Sequence, residues 1–234
     1  MAFAASNATS VRSSQAPWKD AFLADVQSME GREFAFSSLH QRQHSETSSA
    51  PRSRFCAFRC FWTELSANPL NPAKRNPNAF KSELPVFTTD ARTSKMEDLF
   101  EADEDPELSG GGGACEAVWW ARGSLTQWRV RGQAFVIAPD IESNHSGAKS
   151  VRSSIATRMH RIDSKAEVEW SWAKELTAIF GDLSPAKRGR AQSQACSATT
   201  LTRCGCRKIY CSSARSACEH AIRPQRVGRG KRST

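Results

Sequence analysis

Leucine, isoleucine, valine and phenylalanine supply only 39 of the 234 residues. That is below the roughly one fifth at which a chain struggles to bury enough apolar surface to offset its ordering entropy, and it predicts that much of the chain is unpacked. No run of about 18 apolar residues occurs, which excludes a membrane-spanning helix. The N-terminus lacks the apolar stretch of a secretory signal, so the eight cysteines read as reduced thiols or metal ligands and not as a disulfide framework. G-x-G-x-x-G, the P-loop, G-x-S-x-G and H-E-x-x-H are all missing, and no local pattern sets a histidine beside a nucleophile. On that ground no enzyme is expected.

Charge is present but unevenly placed. Residues 185–234 carry twelve Lys and Arg against Glu219 alone, a balance of +11, so the rest of the chain sums to −2 within the total of +9. A local positive tail attracts phosphate or anionic headgroups. Residues 1–16 read as a disordered N-terminus. The Ser/Ala-rich, acid-free stretch 1–19 is similar to an organelle transit peptide, whereas the basic tail suits nuclear import.

From Pro17 to Glu30, Trp18, Phe22, Val26 and Met29 fall on one helical stripe, and Gly31 suits the C-cap. This helix and the cluster Phe55, Phe58, Phe61 and Trp62 make a segment 17–65. Asn68-Pro69, Asn71-Pro72 and Asn76-Pro77 then break regular structure, seven acidic residues occupy 97–107, and Gly110–Gly113 follow, so 66–113 reads as linker. Gly123-Ser124 offers a type II′ hairpin turn that sets Trp119 opposite Trp128, Ala117 opposite Val130 and Ala121 opposite Thr126 on an apolar face. Gly132 permits a third strand to Ala138. Ser164 and Glu167 form a capping box before the stripe Val168, Trp172, Leu176 and Ile179, ended by Gly181. The fold class expected is a small α+β unit over 114–183, a β-hairpin or three-stranded meander plus a helix, in a largely disordered chain that ends in a basic Cys-rich tail, 184–234.

Within the tail, Cys204, Cys206, Cys211, Cys218 and His220 lie close enough in sequence to be candidate zinc ligands, with plain free thiols as the alternative. Cys204-Gly205-Cys206-Arg207-Lys208 followed by Cys211 is similar to one arm of the tesmin-type CXC zinc-cluster modules, a resemblance that implies DNA binding. Lys187-Arg188-Gly189-Arg190 and Gly228-Arg229-Gly230-Lys231-Arg232 resemble AT-hook cores, whose paired guanidinium groups enter a narrow minor groove. His40, His44, Cys56 and Cys60 resemble the His-His-Cys-Cys domain of integrases in ligand type. The competing reading, two exposed histidines and an aromatic cluster with two buried thiols, is the one adopted.

The leading functional expectation is weak, mostly non-specific nucleic-acid binding through Lys187, Arg188, Arg190, Arg207, Lys208, Arg229, Lys231 and Arg232. A second is a structural or interaction protein that docks a protein partner through Trp119 and Trp128. A third is an unselected reading frame, which the excess of Arg, Ser, Trp and Cys over Tyr and Leu would suit.

Overall fold

The computed structural model describes residues 16–41, 49–90, 93–100, 105 and 107–185, together with the backbone of 206–212. A short helix, α1 (Lys19–Ser28), precedes strands β1 (Glu33–Gln41) and β2 (Ser49–Phe61). Then come β3 (Phe80–Ser82), β4 (Pro85–Asp90), β5 (Gly110–Ala121) and β6 (Thr126–Ile137). Helix α2 (Ser146–Ala156), β7 (Met159–Arg161), the single turn α3 (Ser164–Glu167), α4 (Trp172–Gly181) and β8 (Cys206–Ser212) complete the order. Six strands close into an antiparallel barrel in the order β1-β2-β4-β8-β6-β5, and β3 pairs with β7 outside it.

This corrects the expected small unit in a disordered chain. The count of Leu, Ile, Val and Phe misleads because Trp and Ala fill the interior here: Trp62, Trp119, Ala79, Ala117, Ala121, Ala134, Ala138, Ala148 and Ala178 are all buried. Two cores result. One lies inside the barrel, where Phe34, Phe36, Phe58, Phe87, Trp119 and Val136 meet Phe22 and Val26 of α1. The other lies between the outer face of β4 and β6 and the helices α2 and α4, from Val86 and Ile137 to Val151, Ile155 and Ile179.

The hairpin pairs Trp119 with Trp128, Ala117 with Val130 and Ala121 with Thr126, as its alternation predicts. Its turn differs. Four residues, 122–125, form the loop, and Leu125 rather than Gly123 takes the positive φ, at 54°. A four-residue loop about the same centre keeps the same register. Nor is the apolar face open to a partner: Trp119 is fully buried against Phe22, Phe34 and Phe58, and Trp128 donates Nε1–H to Asp25 of α1 at 2.7 Å. α1 is what docks there. It is tied down by the buried Lys19, whose Nζ donates to Glu64 Oε1 at 2.6 Å and to the Ser82 carbonyl at 2.7 Å.

The described part of the expected linker is structured. Asn68 donates Nδ2–H to Asp182 Oδ1 at 2.8 Å, Asn71 to the Ala178 carbonyl at 2.7 Å and Asn76 to the Ser171 carbonyl at 2.8 Å, so the Asn-Pro loop is strapped to α4. Gly111 and Gly112 take φ of 82° and 132° at a β-bulge that opens β5, a conformation L-side chains rarely adopt. Gly113 lets the chain pass against Asp98 and Leu99. The single helix expected over 164–180 is divided: Asp163 caps α3, Ser171 caps α4, and Val168 between them is exposed. Among the described residues, no helix is long and apolar enough to cross a membrane.

Candidate cofactor site

Register decides which side chains share the barrel's inner face. β1 and β2 pair Phe34 with Cys56, Phe36 with Arg54, Ser38 with Arg52 and His40 with Ala50. Paired residues in an antiparallel ladder lie on the same face, so the face that is apolar at Phe34 and Phe36 turns polar and cationic toward Ser38, Arg52 and Arg54. α1 covers the apolar end. The segment 93–100, which follows β4, covers the other.

That segment is a series of tight turns. Thr93 N–H donates to the Asp90 carbonyl at 3.3 Å, Met96 to Thr93 at 2.9 Å and Leu99 to Met96 at 3.0 Å. Met96 and Leu99 are buried in the barrel core. Lys95 turns its ammonium to two hydroxyls, Thr89 Oγ1 at 2.7 Å and Thr93 Oγ1 at 3.0 Å, which are themselves 3.2 Å apart. Burial holds this ammonium below the ordinary lysine value; Cys56 and Asp90 raise it and Arg54 lowers it further. Burial likewise pushes the Cys56 thiol up, against the opposing charges of Lys95 and Arg54. Arg59, next along β2, donates Nε–H to Thr88 Oγ1 at 3.2 Å.

Asp98 lies in the same segment with its carboxylate fully buried. It accepts from Ser38 Oγ at 2.6 Å, from His40 Nδ1 at 2.9 Å and from Arg54, and Arg52 stands 3.6 Å away. Burial alone would raise its pKa. The hydrogen bonds from Ser38, Arg54 and His40, with the Arg54 charge, outweigh that and hold the carboxyl below its ordinary value.

The donor set has a chemical meaning. Arg54 has its counter-ion in Asp98, whereas Lys95 forms no ion pair among the described residues. A partly buried ammonium backed by two hydroxyls, with guanidinium groups on the adjoining strand, is the type of array that holds a phosphate. The residues present therefore fit the phosphate end of a phosphorylated cofactor.

The class defined by the fold and the site is an antiparallel β-barrel domain with a cation and hydroxyl cluster between β2, β4 and the segment 93–100, in place of a small unit with a nucleic-acid-binding tail. More narrowly, the sequence model of the pyridoxamine 5'-phosphate oxidase FMN-binding domain matches residues 15–138, more than half of the chain, and the chain belongs to that family. Among solved structures, a pyridoxamine 5'-phosphate oxidase-related, FMN binding protein of Nostoc punctiforme PCC 73102 is similar at 14% identity. The similarity covers 86% of this chain and 83% of that one, with a TM-score of 0.46. No curated protein matches the chain.

Membership corrects several expectations. Nucleic-acid binding through the tail is replaced, because the match to an FMN-binding family covers residues 15–138, five of the six barrel strands, and the tail contributes the sixth, β8, to the same barrel. Arg207 and Lys208 belong to β8, whose backbone pairs with β4 and β6. Lys187, Arg188, Arg190, Arg229, Lys231 and Arg232 lie outside the described residues. Zinc gives way to a phosphorylated flavin as the cofactor the family implies. Of the expected ligands, Cys206 and Cys211 are β8 residues in register with Asp90 and Ala134, while Cys204, Cys218 and His220 lie outside the description. Among the described residues no group of three or more His, Cys, Asp or Glu could hold a metal.

In the His-His-Cys-Cys pattern, His44 is outside the description, His40 bonds Asp98, and Cys60 is buried in the outer core. Trp119 and Trp128 serve the core instead of a docking face. The unselected reading frame is overturned by the family match. Sequence reasoning missed Arg54, Thr89, Thr93, Lys95 and Asp98. The available signal was Thr88-Thr89-Asp90 closing a strand, with Thr93 and Lys95 a few residues later.

Proposed function

We propose that this chain binds FMN and that the bound flavin gives it a redox function. The observation that carries the reading is Lys95: a partly buried ammonium whose hydrogen bonds among the described residues go to two hydroxyls, the Asp90 carboxylate acting on it through charge without an ion-pair contact. Membership in an FMN-binding family supports the same ligand. In this reading Lys95, Thr89 and Thr93 hold the phosphate, and Arg54 contributes positive potential from β2 while remaining bonded to Asp98. Desolvation of the ammonium strengthens its pull on a dianion compared with an exposed lysine. FMN when bound supplies one- and two-electron transfer at its ring system; the chain's own residues grip and orient the phosphate.

The test is titration of FMN with the full chain, read by flavin fluorescence and by the shape of the flavin absorption band. Lys95→Met keeps the packing of the aliphatic stem and removes the charge, and it should weaken FMN by about tenfold or more. Riboflavin, which lacks the phosphate, should be little affected. A wild-type chain that leaves FMN unchanged at up to about 1 mM, an affinity of only some 4 kcal/mol, refutes the proposal.

A further inference from the structure

We infer that Asp98 is a positioning residue of the phosphate site, one that fixes the segment 93–100 against the barrel so that Lys95 and Thr93 meet the flavin phosphate. The inference rests on the flavin reading above and adds a residue of opposite charge to the ligand it serves.

The geometry points this way for three reasons. First, among the described residues 93–100 no helix forms; the chain runs as tight turns, Met96 N–H to the Thr93 carbonyl and Leu99 N–H to the Met96 carbonyl. Such a segment is placed by what it holds: at its far end Gly113 N–H of β5 donates to the Leu99 carbonyl at 3.1 Å, and nearer Lys95 the task falls to side chains. Met96 and Leu99 grip the apolar core, and apolar contact is non-directional. Asp98 supplies direction, because its two oxygens accept from three side chains on two neighbouring strands: Ser38 and His40 of β1 and Arg54 of β2.

Second, Asp98 is three residues from Lys95, one turn along the same segment, so loss of the clamp frees the piece of backbone that carries the ammonium. Third, the carboxylate is completely buried and its bonds to Arg54 and Ser38 are charge-assisted. A buried carboxylate is costly unless it is fully engaged, and this one is engaged entirely in joining the site segment to the strands beside it.

The sign of the effect separates this role from simple electrostatics. Removing a negative charge near an anion site should, at fixed geometry, tighten phosphate binding. A positioning role predicts the reverse. In Asp98→Asn the full-length chain should bind FMN about tenfold more weakly while its affinity for riboflavin stays within about twofold of wild type. A general loss of fold would weaken both flavins together.

The measurement is parallel titration of wild type and variant with FMN and riboflavin, with backbone amide exchange of residues 93–100 as the second readout. Faster exchange there, with collapse of the preference for FMN over riboflavin, supports the inference. If D98N does not fold, the combined Ser38→Ala and His40→Gln variant, which removes two of the three donors and keeps Asp98 and Arg54, carries the same comparison. An FMN preference equal to or greater than that of wild type overturns the inference while the flavin reading stands. A wild-type chain that binds neither flavin overturns both.

Discussion

Phe22 is the side chain through which α1 is seated on the barrel, and its removal can be assigned a magnitude. It is 1% exposed. Its ring meets Trp119 at 5.1 Å, Phe58 and Phe61 at 5.6 Å, Trp128 at 5.7 Å and Trp18 at 6.0 Å, and all but the Phe61 contact are edge-on. Truncation of a buried Phe to Ala costs about 3–5 kcal/mol, and edge-to-face pairs contribute about 0.5–1.5 kcal/mol each beyond area, which places Phe22→Ala in the upper half of that range.

A terminal helix can settle inward and recover part of the void, so about 4 kcal/mol is the expected loss. With an m-value near 2 kcal/mol/M, the urea midpoint should fall by about 2 M at unchanged slope. Trp119 and Trp128, which flank the deleted ring, make tryptophan fluorescence the natural probe. Phe55→Ala serves as the control, since Phe55 is 82% exposed and should change stability by no more than about 0.5 kcal/mol. If F22A shifts the midpoint no more than F55A does, α1 is not the cover of the hairpin face and the account of that core is wrong.

Acid should act through Asp98. Its carboxyl is held below the ordinary value in the folded chain, so its contribution is complete above the unfolded carboxyl value of about 3.9 and is lost as pH falls through the folded value; D98N should therefore show a shallower loss of stability below about pH 4. Equal acid profiles for the two proteins would contradict the assignment. Gly113→Ala would put a Cβ 2.7 Å from the Asp98 carbonyl oxygen and 2.8 Å from Leu99 Cα, and since backbone must move to admit it, stability should fall by about 1–3 kcal/mol. An unchanged melting temperature would show that the two segments are not in contact. Lys19→Met should also destabilise, because it leaves Glu64 and the Ser82 carbonyl without the ammonium that bonds both; thermal unfolding checks this, and a stabilised variant would argue that apolar packing at that point outweighs the ion pair.

The parts of the fold legible in the sequence are those where periodicity and burial agree. The α1 stripe at Trp18, Phe22, Val26 and Met29 and the 115–131 pairing follow from spacing alone. β1 and β2 escaped notice for a physical reason: their inner positions change from Phe34, Phe36 and Phe58 to Ser38, His40, Arg52 and Arg54 partway along, so apolar alternation fails at the end where the cations gather. Local pattern is weakest where the site is. Asp98 was hidden in another way, within an acidic run whose charge density suggests a solvated linker; only pairing with strands some 44 to 60 residues away shows it buried. The asparagine-proline steps do break regular structure, but broken structure is not loose structure when amide side chains replace the missing backbone bonds.

Those amide bonds also impose an order of events. Asn68, Asn71 and Asn76 reach partners 95 to 114 residues further along the chain, so during synthesis the strap emerges long before α4 exists to receive it. The β1–β2 ladder can form from neighbouring sequence at once, whereas closure of the strap waits for nearly the whole described chain and carries the slow kinetics of distant contacts. A ribosome stalled before residue 172 would thus hold a paired hairpin beside an undocked, protease-accessible loop; docking of that loop depends on translation through α4, as closure of the barrel depends on translation through β8.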